Sequence, residues 1–401
     1  MSFTKPAQPV GGSSPTLSPT RTIGLAGAGL SLIAVCYGLA RFAYGLFVPE
    51  FRESFTLTAG QTGLIAAAGY ASYCVGVVAA TTGTPRFGAR AVAVAAGSLA
   101  TAGTALIAVA PTAVVLAAGV TIAGVGTGVA SPPLGHAIAL RVVPRHRDRI
   151  QTIVNAGTGL GVAISGPVAM LAEDRWRAAW LAFAAVAAAV TVWVRIHVPS
   201  AVGAPGPAGT DEPTTRHAAF PSGALRMLGA AAVVGAATAA VWTFGQELLV
   251  TVGGHDRTLA TTAWIVLGVS GLLGAVSGEL VRRVGLQRAW TISTAAVCAA
   301  TALLAAASRQ PAVAVAASAL FGAVYIAVTG VLLVWSTRVY PTQPATGVGL
   351  AFLLVAVGQA AAAPVLGFVA DRAGLTTSFW MSAGVALAAV AVTPPARFRR
   401  T

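Results

Sequence analysis

The chain has 401 residues, 56% of them hydrophobic and only 9% charged, which leaves too little polar surface to cover a soluble fold of that size. Its net charge of +14 does not make it a nucleic-acid binder, because the bases are spread between apolar runs instead of gathering on one face with aromatics for stacking. What remains is an all-α integral membrane protein with lipid around it.

Residues 1–22, rich in Pro, Ser and Thr, read as a flexible tail. A helix that crosses the hydrocarbon core needs about 20 mostly apolar residues, and twelve runs meet that demand: 23–47, 60–82, 91–110, 112–140, 150–172, 177–198, 225–252, 258–281, 289–308, 311–336, 343–369 and 374–394. The first run holds Arg41 among Tyr37, Phe42 and Tyr44. A central Arg costs roughly 2.5–3.5 kcal/mol to insert, so it is expected to face a bundle interior or a wet cavity. Regular helical spacing places Tyr37, Arg41 and Tyr44 on one stripe, a candidate cavity wall about 12 Å below Pro49 at 1.5 Å per residue.

Between the second and third runs stand Arg86, Gly88 and Arg90. Pro132 and Pro133 are expected to kink the fourth run, and His136 lies one turn before Arg141 at its end, where an interface role is expected. Asn155 sits in the fifth. Residues 199–224 carry Pro, Gly and charge and read as a linker. The seventh run brings Thr238, Trp242, Gln246 and Glu247, the last being the one acid well inside a run. Arg283 and Gly285 follow the eighth, and Tyr325 and Gln359 lie in the tenth and eleventh. These polar groups either join helices or touch a substrate. Glu173, Asp174, Glu279 and Asp371 fall at helix ends and read as solvated or capping. Cys36, Cys74 and Cys298 have no metal-ligand spacing and read as small buried hydrophobes; no cofactor or metal is expected.

Counting bases in alternate loops places 18 Lys and Arg on one side and six on the other, with Arg41 left inside. The richer side is expected to be cytoplasmic, with both termini and the linker around Asp211 there and the loops at Arg52 and Asp256 opposite, in a bacterial inner membrane.

An internal repeat is the strongest organising signal. RVVP at Arg141 to Pro144 recurs as RVYP at Arg338 to Pro341, 197 residues on. Pro167, Val168, Asp174 and Arg175 recur at the same offset as Pro364, Val365, Asp371 and Arg372, and Arg86-x-Gly88 recurs as Arg283-x-Gly285. Each repeat holds six helices, so both enter the membrane in the same orientation. The expected organisation is a tail over 1–22, a six-helix half over 23–198, the linker 199–224, a second half over 225–394 and a tail over 395–401.

With these features the chain resembles the major facilitator superfamily over nearly its full length. That family carries G-x-L-x-D-R-x-G-x-R between helices 2 and 3, a turn that ties helix ends together and helps set the transport conformation. The first copy here keeps Arg86, Gly88 and Arg90, with Pro85 at the acidic position. The second keeps Gly278, Leu280, Arg283 and Gly285, with Arg282 at that position. Gly157, Gly161, Gly166 and Pro167 are similar to a family pattern associated with exporting antiporters, although the spacing differs by one residue and the fourth run lacks the Arg that exporters often carry there.

The resemblance implies a secondary active transporter that moves a small organic molecule by alternating access, with proton-coupled export as the leading expectation and import of an organic anion as the alternative. ATP-driven pumping needs a phosphate loop ending in GK[ST], and the single lysine, Lys5, is in the tail. A membrane enzyme or receptor needs clustered His, Asp or Glu or a folded sensor domain, and neither is visible. The expected partners are the substrate, protons and lipid, for a chain acting as a monomer. Arg41 and Glu247, at similar depths in the first and seventh helices, are expected to pair when the cavity opens inward, with Glu247 as proton carrier and Arg86 and Arg283 as equivalent hinges.

Overall fold

A computed structural model describes residues 16–172, 175–200 and 221–395. Residues 1–15 and 396–401 of the tails, most of the linker, and Glu173 and Asp174 of the repeat lie outside the described residues, whereas 19–22, expected as tail, already belong to α1. Among the described residues the chain is helical throughout: α1 (Pro19–Leu46), α2 (Val48–Phe55), α3 (Ala59–Phe87), α4 (Ala89–Ala108), α5 (Ala113–Arg141), α6 (Arg147–Ala172), α7 (Trp176–His197), α8 (Ala224–Val252), α9 (Arg257–Gly271), α10 (Ser277–Val284), α11 (Leu286–Ala307), α12 (Pro311–Val339), α13 (Pro344–Ala373) and α14 (Leu375–Ala391). Eleven segments are long and apolar enough to cross a membrane, and α14 is a shorter apolar helix of 17 residues. The protein is a multi-pass membrane protein whose twelve membrane helices form two parallel six-helix repeats.

Local chemistry sets many helix starts. Ser18 caps α1, with Pro19 in its first turn. Thr58 and Gln61 form a reciprocal capping box at α3, satisfying two backbone donors that a helix start leaves open. The Asp256 carboxylate accepts from the Leu259 N–H at the head of α9. Gly88 and Gly285, 197 residues apart, share a left-handed φ of 84° and 83°, a turn that costs glycine nothing and other residues strain. They bend the chain identically in the two repeats.

Three expectations change. The stretch after the first run is not a loop: Pro49 and Glu50 favour a helix start, so α2 forms and ends at Thr56 with φ 52°. The first membrane helix is not regular, because Ala34–Phe42 is a π segment, a wider turn that re-aims the side chains it carries. The eighth run is not one helix: α9 passes through a 3-10 stretch, Leu272–Val276, into α10.

Without a hydrophobic drive between helices in lipid, close packing needs small residues at the crossings. A Cβ added at Gly161 in α6 would sit 2.1 Å from the Ala34 carbonyl oxygen of α1, and one at Gly38 would sit 2.3 Å from the Gly161 backbone. The same crossing recurs 197 residues on, where Cβ atoms at Gly235 and Gly358 would each meet a backbone oxygen at 2.0 Å, from Val355 and Ala232. These pairs lock α1 to α6 and α8 to α13. Between the halves, α3 meets α13 at Gly63 and Ala363, and α6 meets α9 at Ala163 and Gly268.

Candidate functional site

Arg41 projects from the π segment of α1 into a box of rings. Its guanidinium carbon lies 4.3 Å from the centre of the Tyr73 ring, 5.1 Å from Tyr70, 5.2 Å from Phe42 and 6.0 Å from Tyr37, distances at which ring faces attract a cation. One N–H donates to the Gln359 amide oxygen of α13 at 2.8 Å. That bond spans the two halves, 318 residues apart in sequence. Phe42 stacks on Trp242 of α8 at 4.0 Å, and Tyr325 of α12 meets the Trp242 ring edge-on at 5.0 Å. A cavity beside the guanidinium is lined by Arg41, Tyr44, Ala66, Tyr70 and Trp242, with room for about one water.

Three buried donors at this place have no partner: Arg41 Nε, Gln359 Nε2 and Trp242 Nε1. A buried donor left open costs about 1–3 kcal/mol, so this cluster is held open against its own stability. Around it the ring hydroxyls satisfy one another: Tyr37 meets Tyr73 and Ser131, Tyr70 meets Thr243, and Tyr44 donates to the Thr62 carbonyl oxygen.

At the α2 end of the bundle the halves are clasped by charge. Arg52 of α2 meets Glu247 of α8 at 2.5 Å, with side chains 27% and 5% exposed. Arg257 of α9 reaches Glu50 and Glu53 of α2 at 3.5 and 3.4 Å. Asp371 of α13 accepts the Ala59 and Gly60 N–H groups at 2.7 and 2.8 Å, capping a helix of the opposite half. Burial pushes the Glu50 carboxyl above its usual range, with Arg257 opposing and Glu247 and Glu53 adding to the rise.

A family model described as "Uncharacterised MFS-type transporter YbfB" matches residues 33–393. The chain belongs to this family of MFS-type transporters. Solved structures agree on the fold. The nucleoside transporter NupG superposes with a TM-score of 0.74 at 12% identity, covering 91% of this chain and 98% of that one. The xylose transporter XylE from E. coli, in a partially occluded inward-open conformation, gives 0.73 at 14%, covering 92% and 98%. A bacterial homologue of the human lysosomal transporter Spinster, inward-facing and occupied, gives 0.70 at 16%, covering 94% and 96%. In sequence the chain is also similar to a Pseudomonas aeruginosa protein named transcription regulatory protein OpdE, 27% identical over 267 residues, 64% of this chain and 65% of that relative's length. The family match places the chain among transporters and not enzymes.

This MFS-type transporter assembles only part of the set of residues singled out in its sequence. Arg41, Tyr37, Tyr44, Trp242, Tyr325 and Gln359 gather in or beside the box. The Arg41–Glu247 pair does not form: Glu247 lies within reach of α2, and Arg52 takes it, while Arg41 turns to Gln359. Thr238 spends its hydroxyl on the Val234 and Gly235 carbonyls of its own helix, and Gln246 reaches Thr261, tying α8 to α9. Asn155 is exposed and accepts from Gln151 one turn away. Arg90 donates to the Val198 carbonyl, fastening the α3–α4 turn to the end of α7. Arg86 is exposed. Arg283 and Arg282 both pair with Glu279, so an acid one turn earlier stands in for the acidic position of the family pattern that Arg282 occupies. Sequence reasoning missed Tyr70, Tyr73, Arg52 and Glu50. The i, i+3 tyrosines in GYASYC, alone in an Ala- and Gly-rich run, were the available signal for the first two.

Proposed function

We propose that this transporter moves a small organic solute across the bacterial inner membrane by alternating access, with the Arg41 box as its resting place and the α2 end as its gate. The observation that carries this reading is the Arg41–Gln359 bond: one polar contact joins the two halves at the place where unpartnered donors converge. A solute that takes Arg41 competes with Gln359 and so changes what holds the halves together, which is how differential affinity shifts a conformational equilibrium. The charge asymmetry of the loops supports putting both termini in the cytoplasm and the clasp outside, so the clasped state faces inward. Single cysteines in a Cys-free background test this: an impermeant maleimide should label position 53 from outside intact cells and leave position 146 untouched, and the reverse pattern overturns the orientation.

A second reading, proton-driven export, has Glu247 in its favour. One of its oxygens, Oε2, is buried without a partner beside the Arg52 pair, a place where a proton can be held. In proteoliposomes a pH gradient should then drive conformational cycling in the native protein and not in Glu247→Gln. Equal cycling in both removes proton coupling through this residue.

A further inference from the structure

We infer that the solute held by the Arg41 box is a small monocarboxylate with an apolar body, an inference that rests on the alternating-access reading above. Arg41 is a cation deep in an apolar bundle, and among the described residues no carboxylate pairs with it: its neighbours are four rings and a neutral amide. Glu247, the acid nearest in depth, is committed to Arg52. A membrane-buried charge ordinarily finds an opposite one, so the missing counter-charge is a property of the site that an anion supplies.

The donor inventory points the same way. Arg41 Nε, Gln359 Nε2 and Trp242 Nε1 are all donors, all buried and all unpartnered. Arg and Trp nitrogens donate only, and the amide nitrogen of Gln also only donates. Most acceptors at the box are engaged: the Gln359 oxygen takes Arg41, the hydroxyls of Tyr37, Tyr70, Tyr73 and Tyr44 are engaged with Ser131, Thr243, one another and Thr62, and the Tyr325 hydroxyl stands beside the Gln359 amide. A ligand rich in acceptors and free of donors therefore fits, and an amine does not. A carboxylate takes two N–H groups of the guanidinium fork where an amide oxygen takes one. It can thus displace the Gln359 oxygen and leave the Gln359 amide free to donate to it as well.

Size and valence follow from the walls. The cavity wall beyond the donors is ring and small aliphatic, with Tyr44, Tyr70, Trp242, Ala40, Ala66 and Val120, so the body of the solute is apolar. Among the described residues no second base stands in the box, so a dicarboxylate or a phosphate dianion would bury an uncompensated charge. The cavity now has room for about one water; the halves must part by a small amount for the solute to enter.

The test uses purified full-length protein in lipid nanodiscs, titrated by calorimetry with benzoate, hexanoate, benzamide, benzylammonium and phthalate. Benzoate or hexanoate should bind at least tenfold tighter than benzamide, with benzylammonium and phthalate weaker still. Arg41→Gln should erase the preference for the anion. Gln359→Glu, which places a resident counter-ion beside Arg41, should melt at a higher temperature than the native protein and lose benzoate binding; it covers the case in which Arg41→Gln does not fold. The inference is overturned if benzamide or benzylammonium binds as well as benzoate, if neither monocarboxylate binds, or if Gln359→Glu binds benzoate like the native protein. An Ala66→Cys probe separates the two levels. If it switches sides of the membrane during cycling but ignores benzoate, the substrate class fails and the transporter reading stands. If it never switches sides, the transporter reading fails and takes the substrate class with it.

Discussion

Removing Arg52 should loosen the clasp far more than removing Glu247. The Arg52→Gln variant leaves the Glu247 carboxylate, 5% exposed, buried without its cation. Losing one partner of a fully buried pair costs about 3–5 kcal/mol. Arg52 is 27% exposed, so water already screens part of the interaction, and about 2–3 kcal/mol is the appropriate range. At 1.4 kcal/mol per factor of ten, that is a shift of about 30- to 150-fold from clasped toward open. The reverse variant, Glu247→Gln, leaves a long cation that can swing to water, so its cost should stay below about 1 kcal/mol, or fivefold. The assay is the maleimide labelling rate of Thr243→Cys, a buried position one turn before Glu247 that bonds Tyr70 across the halves, read from the side bearing α2. Combining Arg52→Gln with Glu247→Gln should bring the rate back to near that of Glu247→Gln alone. Equal rates in the two single variants, or a change under threefold in Arg52→Gln, would refute the view that this pair holds the end closed.

Three further outcomes follow from the same geometry. Gly161→Ala forces a Cβ to within 2.1 Å of the Ala34 carbonyl oxygen and should destabilise the protein by about 1–3 kcal/mol in thermal unfolding, whereas Gly384→Ala, with open space around it, should leave the melt unchanged. Asp371→Ala removes the carboxylate that accepts from Ala59 and Gly60 and should cost about 1–2 kcal/mol while speeding Thr243→Cys labelling from the α2 side. The Glu50 carboxyl is held above its usual range by burial in the clasped state, so that state binds a proton more readily than a hydrated open one. Acid should therefore slow the labelling as pH falls from the raised value to the ordinary carboxylate value, with Arg257, Glu247 and Glu53 as the facing charges. Glu50→Gln should flatten this profile, and labelling that speeds up in acid contradicts it.

The membrane helices and the repeat were legible because both rest on features that a single chain writes directly: long apolar runs, and matches at one offset. Gly88 and Gly285 carry the same turn at that offset. The helix crossings at Gly38 and Gly161, and at Gly235 and Gly358, obey it too, but 46 glycines hid them among residues that only fill space. Arg41 stood out because a charge in an apolar run is costly. Its partners were not legible, since the choice between Glu247 and Gln359 depends on how the π segment turns the side chain, and hydrophobic periodicity is blind to that. Glu247 was recognised as unusual and given the wrong partner because the segment after α1 looked like a loop. Once Pro49 starts a helix there, Arg52 is carried to α8 and the pair forms with it.

Alternating access requires that the Arg41 box be exposed to the two sides of the membrane in turn. The direct measurement is sided labelling of Ala66→Cys in proteoliposomes, repeated after Arg52 and Glu247 are both replaced by cysteine and bridged by a reducible bifunctional thiol cross-linker to lock the clasp. Alternating access predicts labelling from both sides in the unlocked protein, labelling only from the side opposite α2 once locked, and recovery on reduction. Labelling from the α2 side while the clasp is locked, or from one side only in the unlocked protein, would contradict it.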